Sequence, residues 1–268
     1  MRLPHVLLAG AILAQACVPQ PVRWEEEVTR RSGALADSLT LALDPTSPEG
    51  VRFPARWTPP AWPEEPGLCP ASRRATPAID GEAYASFFTV QPDSSVLLRV
   101  ARSDDGGVTW NPAVTADAMD RGRAGCDRPA PFIAADSLNG YVHIVYHLDA
   151  AEGAGLFFTH TMERGALFHE PVPIMYGDRP SAAAVASRGD TVVVAYEDPN
   201  SRMPRLGLAL SRTQGHIFEH RIAASDETGE ARTPRVALRG TTIAVAWTAT
   251  QRGGGVPRTV IRFGRLEW

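Results

Sequence analysis

A chain of 268 residues with 27 basic and 30 acidic side chains has a formal charge of −3 and no basic run, so neither nucleic acid nor an anionic membrane surface is expected as a partner. Glycine and proline, 23 of each, suit loops between many short strands. Beyond the first residues, no stretch is apolar enough to span a bilayer.

Residues 1–16 have the pattern of an export signal: Arg2, a short apolar core over residues 6–13, and small residues leading to Cys17. Two cleavage sites compete. Ala14-Gln15-Ala16 fits ordinary secretion to a soluble product, whereas Leu13-Ala14-Gln15-Ala16-Cys17 resembles a bacterial lipobox, which implies lipidation of Cys17 and an anchor at the cell envelope. Lipidation would leave two thiols, Cys69 and Cys126, which an exported protein is expected to pair. Residues 17–70 are expected to form a tether and an arm rich in proline and tryptophan. Leucines 35, 39 and 43 recur at four-residue steps and predict helical character over residues 24–43. Residues 44–70, with Trp57-Thr58-Pro59-Pro60-Ala61-Trp62-Pro63, are expected to be extended.

Residues 71–268 are organised around the octapeptide Ser103-Asp104-Asp105-Gly106-Gly107-Val108-Thr109-Trp110. Asp105 can turn its carboxylate onto backbone N–H groups, Gly107 can take φ > 0, Ser103 and Thr109 can tie the strand ends, and Trp110 gives the outgoing strand a large ring to bury. Weaker copies run from Thr161 to Phe168 and from Ser211 to Phe218. Each follows an apolar run, and Val245-Ala246-Trp247 begins a fourth copy. Arginine closely followed by proline opens every copy, and Pro77, Pro129, Pro180 and Pro234 fall 51 to 54 residues apart, the length of one four-stranded blade. The octapeptide matches the S-x-D-x-G-x-T-W Asp-box of bacterial-neuraminidase repeats. The chain therefore resembles the sialidase-like β-propellers, in which the box joins the third and fourth strands of a blade, away from the ligand face.

The expected fold is all-β: a small propeller of about four four-stranded blades, closed by an N-terminal segment. The fourth copy ends one strand short, and its missing outer strand is predicted around residues 51–53. Cys69 and Cys126 precede the first strands of adjacent blades at one face, which places a disulfide within reach.

Arg74, Arg128, Arg179 and Arg232 open the four copies and are predicted to ring the channel mouth, where guanidinium groups could clamp a carboxylate, sulfate or phosphate. Asp127, Asp178 and Glu230 lie beside three of them, which leaves a purely structural use open. The resemblance implies three arginines on a sugar carboxylate, a Tyr–Glu nucleophile and an Asp acid/base. This chain departs from that pattern in having four copies rather than six blades and in lacking an aromatic-Arg-Ile-Pro entry. Tyr146 and Tyr196 are the candidate tyrosines, but Tyr196 and Glu197 are adjacent on a strand and point to opposite faces. The histidines have no metal-ligand spacing, since His143 and His147, like His216 and His220, are too far apart along a strand. No metal or cofactor is predicted. The leading function is non-catalytic binding of a glycan, an anionic ligand or a partner protein at the envelope. The alternatives are an abbreviated exo-sialidase and a scaffold subunit docking through residues 18–76.

Overall fold

The computed structural model describes residues 20–47, 50–226 and 228–268; the expected export signal and Cys17 lie outside the described residues. The chain opens with short strands β1 (Val22–Trp24), β2 (Val28–Ser32), β3 (Ala42–Leu43) and β4 (Val51–Arg52). Blade one follows as β5 (Arg74–Pro77), β6 (Ala83–Val90), β7 (Val96–Ser103) and β8 (Val114–Asp120). Blade two is β9 (Phe132–Ala135), β10 (Val142–Ala150), β11 (Gly153–Thr161) and β12 (Val172–Tyr176). Blade three is β13 (Ala183–Arg188), β14 (Thr191–Glu197), β15 (Leu206–Ser211) and β16 (His220–Ala223). Blade four has β17 (Gly229–Arg239), β18 (Thr242–Gln251) and β19 (Arg258–Leu266). Within each blade consecutive strands pair antiparallel.

The outer strand of blade four comes from the N-terminal region, but from residues other than those expected. β1 and β2 both pair with β19, in register Val22↔Leu266 and Val28↔Ile261. The free edge of β19 is nine residues long, and residues 51–53 are too few to cover it. Those residues instead form a two-stranded hairpin in which β3 pairs with β4, extended by a bridge between Leu39 and Ala55. The predicted helix over residues 24–43 is absent. A turn at residues 36–39 parts Leu35 from the others, and Leu39, Leu41 and Leu43 alternate with a period of two along the extended segment that follows. Leu41 and Leu43 are buried with Leu35 against Ala244, Ile261 and Phe263. Residues 22–56, expected as a tether, are thus built into the ring.

The middle strands of blades two and three are buried on both faces because each of these blades lies between two others, while the N-terminal segment fills the gap between blades four and one. On β14, Val192, Val194 and Tyr196 pack towards blade two, while Val193 and Ala195 pack towards blade four. Blade one meets blade two through Tyr84, Phe88 and Leu98 against Ile144, Tyr146 and Leu148. The disulfide between Cys69 and Cys126, with Cα atoms 5.4 Å apart, ties the arm to the entry of blade two.

The octapeptide closes the β7–β8 turn as its chemistry predicts. Asp105 Oδ1 accepts the N–H groups of Val108 (3.0 Å) and Thr109 (2.8 Å), and Oδ2 accepts the Thr109 hydroxyl (2.6 Å). Ser103 Oγ donates to Asp105 Oδ1 (2.7 Å) and accepts the Gly107 N–H (2.7 Å). The turns after β11 and β15 keep the same backbone, with two successive positive φ values: Arg164 and Gly165, then Gln214 and Gly215. In the third turn Thr213 takes the place of Asp105, accepting the Ile217 N–H at 2.9 Å. The second positive-φ residue of each turn, always a glycine, meets the neighbouring unit closely. A Cβ would fall 2.7 Å from Pro59 at Gly107, 2.9 Å from the Tyr84 ring at Gly165 and 2.2 Å from the Phe158 ring at Gly215. The turns are therefore docking points between blades, and a side chain there would push the blades apart.

The Thr109 hydroxyl and N–H, with the Ser103 hydroxyl, hold the Asp105 carboxyl at about 2, below its ordinary 3.8. A depressed folded-state pKa contributes stability above the unfolded value that is lost as pH falls towards 2. Denaturant titrations of the parent and Asp105→Asn are expected to show a stability difference that is largest near pH 6 and shrinks at pH 2. A pH-independent difference would mean that the carboxylate charge plays no part in the turn.

Candidate functional site

The first strands of the four blades converge on a central channel. Ala75 and Thr76 of β5, Ile133 and Ala134 of β9, Val185 of β13 and Val236 of β17 line a cavity of about 280 Å³. Leu41 and Ala55 complete the wall, so the β3–β4 hairpin occupies a fifth position around the channel. At the end where Arg74 begins β5, a second cavity of about 330 Å³ opens among Asp37, Arg56, Arg74, Arg235 and Thr233.

Three guanidinium groups share one carboxylate there. Arg74 Nη2 lies 2.8 Å from Asp37 Oδ2, and Arg235 Nη2 and Arg56 Nη2 lie 3.1 and 3.3 Å from Oδ1. The Asp37 side chain is 66% exposed, whereas those of Arg56, Arg74 and Arg235 are 16%, 18% and 4% exposed. Burial alone would push the Asp37 carboxyl up, but Arg56, Arg74 and Arg235 outweigh it and hold it below its ordinary value. The arginines register the same crowding, for burial and the neighbouring Arg56 push the pKa of Arg74 down.

The three cations are anchored differently. Arg235 is committed to the scaffold: Nε donates to the Leu39 carbonyl (2.7 Å), Nη1 to that of Pro234 (2.8 Å) and Nη2 to that of Asp37 (3.1 Å), which fixes the 36–39 turn against blade four. Arg74 Nη1 donates to the Arg73 carbonyl at 2.8 Å. Arg56 Nε is buried without a hydrogen-bond partner. Three positive charges against one negative leave the mouth cationic, with donor capacity in reserve.

Of the four arginines expected at the mouth, Arg74 alone lines it. Arg128 lies four residues ahead of β9 and its side chain is fully buried in an ion pair with Asp120. It also sits over the Phe88 ring at 5.0 Å and donates from Nε to the Gly125 carbonyl at 2.9 Å. Arg179, also four residues ahead of its strand, donates to the carbonyls of Ser201 (2.9 Å) and Asp198 (2.5 Å). Arg232 lies within β17, half exposed, 3.1 Å from Glu230 and 4.0 Å from Glu197. The Arg-to-Pro phase is regular in sequence, but the strands begin at different offsets from it. A register shift between Arg232 and Arg235 gives Arg235 the mouth position.

The tyrosines are interface residues. Tyr146 is buried between blades one and two and donates to Asp117 Oδ2 at 3.0 Å. Tyr196 packs between blades two and three over Gly207, and burial pushes its hydroxyl up to about 12. Glu197, on the other face of β14, accepts the Thr233 N–H at 2.8 Å. Thr233 has φ 60, a costly conformation for a β-branched residue. Burial raises the Glu197 carboxyl, with the Thr233 N–H opposing that rise. Glu197 therefore holds the bulge that carries Arg235.

Sequence reasoning missed Asp37, Arg56 and Arg235. Arg235 had a signal, since it follows Pro234 directly in the fourth copy. Asp37 and Arg56 lie in the N-terminal arm, outside every repeat.

Comparison with protein families and with curated proteins finds no match. Similar solved structures include a protein of unknown function from Dyadobacter fermentans, 11% identical over 93% of this chain and 100% of that one, with a TM-score of 0.49. A Hadza microbial sialidase is 15% identical over 70% of this chain and 45% of its own, with a TM-score of 0.45. An exo-1,5-alpha-L-arabinanase from a bovine ruminal metagenomic library is 11% identical over 88% and 91%, with a TM-score of 0.47. The chain spans less than half of the sialidase, and at such identity and overlap neither substrate nor chemistry transfers to it.

Removing the Arg128 guanidinium would leave Asp120 charged, buried and without its cation. Arg128→Ala is expected to lose about 3–5 kcal/mol in equilibrium denaturation. A loss within ~0.5 kcal/mol, the size of an ordinary surface change, would show that the pair is solvated and not structural.

Proposed function

We propose that the chain is a non-catalytic binding propeller whose channel mouth takes an anionic ligand, with a carboxylate-bearing glycan as the first candidate. One observation carries this reading: Arg56, Arg74 and Arg235 surround a single exposed carboxylate at the rim of a cavity. A carboxylate arriving from solution would be held by the same donors, either beside Asp37 or in its place. Glycoside hydrolysis by two carboxyl groups needs a pair about 5–9.5 Å apart. Asp37 is the one carboxylate among the described residues lining the mouth cavity, and no tyrosine lines it, which supports binding without turnover.

Export and envelope anchoring through Cys17 belong to the same proposal. The Cys69–Cys126 bridge supports it, because the bridge calls for an oxidising compartment and accounts for both other cysteines. Labelled fatty acid is expected to enter the expressed protein and not its Cys17→Ser variant; an unlabelled parent would remove the anchor. Residues 22–32 already pair within blade four, which favours this reading over a scaffold subunit that docks through residues 18–76.

The direct test is calorimetric titration with sialic acid and with uronic-acid oligosaccharides. Arg56→Ala is expected to weaken binding about tenfold or more, as loss of a charge-assisted hydrogen bond would, and added salt to weaken it in the parent. Hydrolysis of a fluorogenic sialoside that disappears in Arg56→Ala would overturn the proposal in favour of the abbreviated sialidase. Unchanged binding in that variant would move the ligand away from the mouth.

A further inference from the structure

Three histidines from two neighbouring blades meet at the end of the molecule opposite the arginine mouth. The register fixes that placement: β5 begins at Arg74, and the turn after β7 lies at its other end, since Pro77 pairs with Ala83 and Ala83 with Ser103. The corresponding turns of blades two and three occupy the same end. His160, on β11, and His169, just beyond the turn that follows it, are cross-strand neighbours, with the His169 N–H donating to the His160 carbonyl at 3.0 Å. Their rings stack at 4.4 Å. His216 arrives from the turn of blade three, with its ring 4.6 Å from that of His160 and 5.1 Å from that of His169.

The placement of His216 is imposed by packing. Gly215 presses against Phe158 so closely that a Cβ would lie 2.2 Å from the ring, and Phe218 meets the same ring edge-on at 5.2 Å. This contact sets the blade-three turn directly over the end of β11. His216 Nδ1 lies 2.8 Å from the Thr213 carbonyl. A carbonyl only accepts, so Nδ1 carries the hydrogen and Nε2 keeps a lone pair, the tautomer a metal ligand needs. His160 is 1% exposed, and its Nε2 is buried without any hydrogen-bond partner. A buried imidazole nitrogen with nothing to bond calls for an explanation.

We propose that His160, His169 and His216 bind one divalent ion of the zinc class and so clip blade two to blade three. One nitrogen from each ring lies within 4.8 Å of the other two. Tetrahedral bonds of about 2.0–2.1 Å set ligand nitrogens roughly 3.4 Å apart, so closing the site takes shifts of about 1 Å at the side-chain tips and a rotation of the His160 and His169 rings, now only 9° from parallel, that brings their in-plane lone pairs to one point. An all-imidazole set suits zinc, copper or nickel rather than calcium or magnesium. Three protein ligands leave a fourth position for water or an outside group. Metal-ligand spacing could not disclose the site, because its ligands come from a strand, the segment after its turn and the turn of the next blade.

The test uses the purified chelator-treated protein, titrated with zinc against a chromophoric chelator and, separately, with cobalt(II). The expected result is one ion per chain, intense visible cobalt bands of a four- or five-coordinate site, and no competition from calcium. His169→Ala and His216→Ala each remove a direct ligand and are each expected to weaken zinc binding by more than the roughly 10–100-fold that loss of an outer-shell partner costs. His216 is exposed, so its variant is expected to keep the parent circular dichroism spectrum. His220→Ala, which removes a histidine outside the cluster, is expected to bind as the parent does. Zinc binding no tighter in the parent than in the His169→Ala, His216→Ala double variant would overturn the proposal. So would a weak octahedral cobalt spectrum, and either result would leave the cluster a stack of rings.

Discussion

β19 presents nine residues of backbone donors and acceptors along its outer edge, and the two N-terminal strands that cover it organise much else in the molecule. An uncovered edge of that length is a template for pairing with another chain. Having paired with the outermost strand of blade four, the chain must cross to the channel and then run back out to reach blade one. That path lays residues 35–56 across the gap between blades four and one. It sets Leu35, Leu41 and Leu43 against Ile261 and Phe263, and brings Asp37 and Arg56 to Arg74 and Arg235. The cationic mouth is a product of closure: half of its charged residues belong to the closing segment.

Much of the ring was legible because its signals are local. The turn chemistry of residues 103–110 depends on atoms within a few positions of one another, and the blade period needs only apolar runs and turns in order. The disulfide followed from counting cysteines and from two positions near the same face. Other features depend on register between distant segments. The leucines at 35, 39 and 43 fit a helical spacing, but a turn at residues 36–39 sets the first apart, and Leu39, Leu41 and Leu43 alternate along an extended segment against Ala244 and Phe263. The arginines were in phase by sequence, but Arg128 and Arg179 precede their strands while Arg74 begins one. A one-residue bulge in β17 between Arg232 and Arg235 puts Arg235 at the mouth in place of Arg232.

Three places in the propeller use charged and polar side chains in different ways. Around Arg128 and Asp120 a cation and an anion are both buried and satisfied, which fixes geometry and leaves little for a ligand. At the mouth one carboxylate serves three cations and is itself open to solvent. At the far end the imidazoles have no carboxylate among them, and a buried nitrogen stands without a partner. Arg128 and Arg235 spend Nε and the terminal nitrogens on carbonyl and carboxylate partners. Arg56, with a buried and unused Nε, is the exception at the mouth.

The pairing of Val22 with Leu266 also orders events in time. β1 finds no partner until β19 is in place, so the seam of the ring closes after the blades between them. Contacts of such sequence separation form slowly, since nearly the whole chain must be looped before they reward it. Until then β1 and β2 are two adhesive strands in search of an edge, and the β19 of another molecule offers the same edge as their own. The seam that finishes the monomer is thus also the route by which two chains would exchange strands.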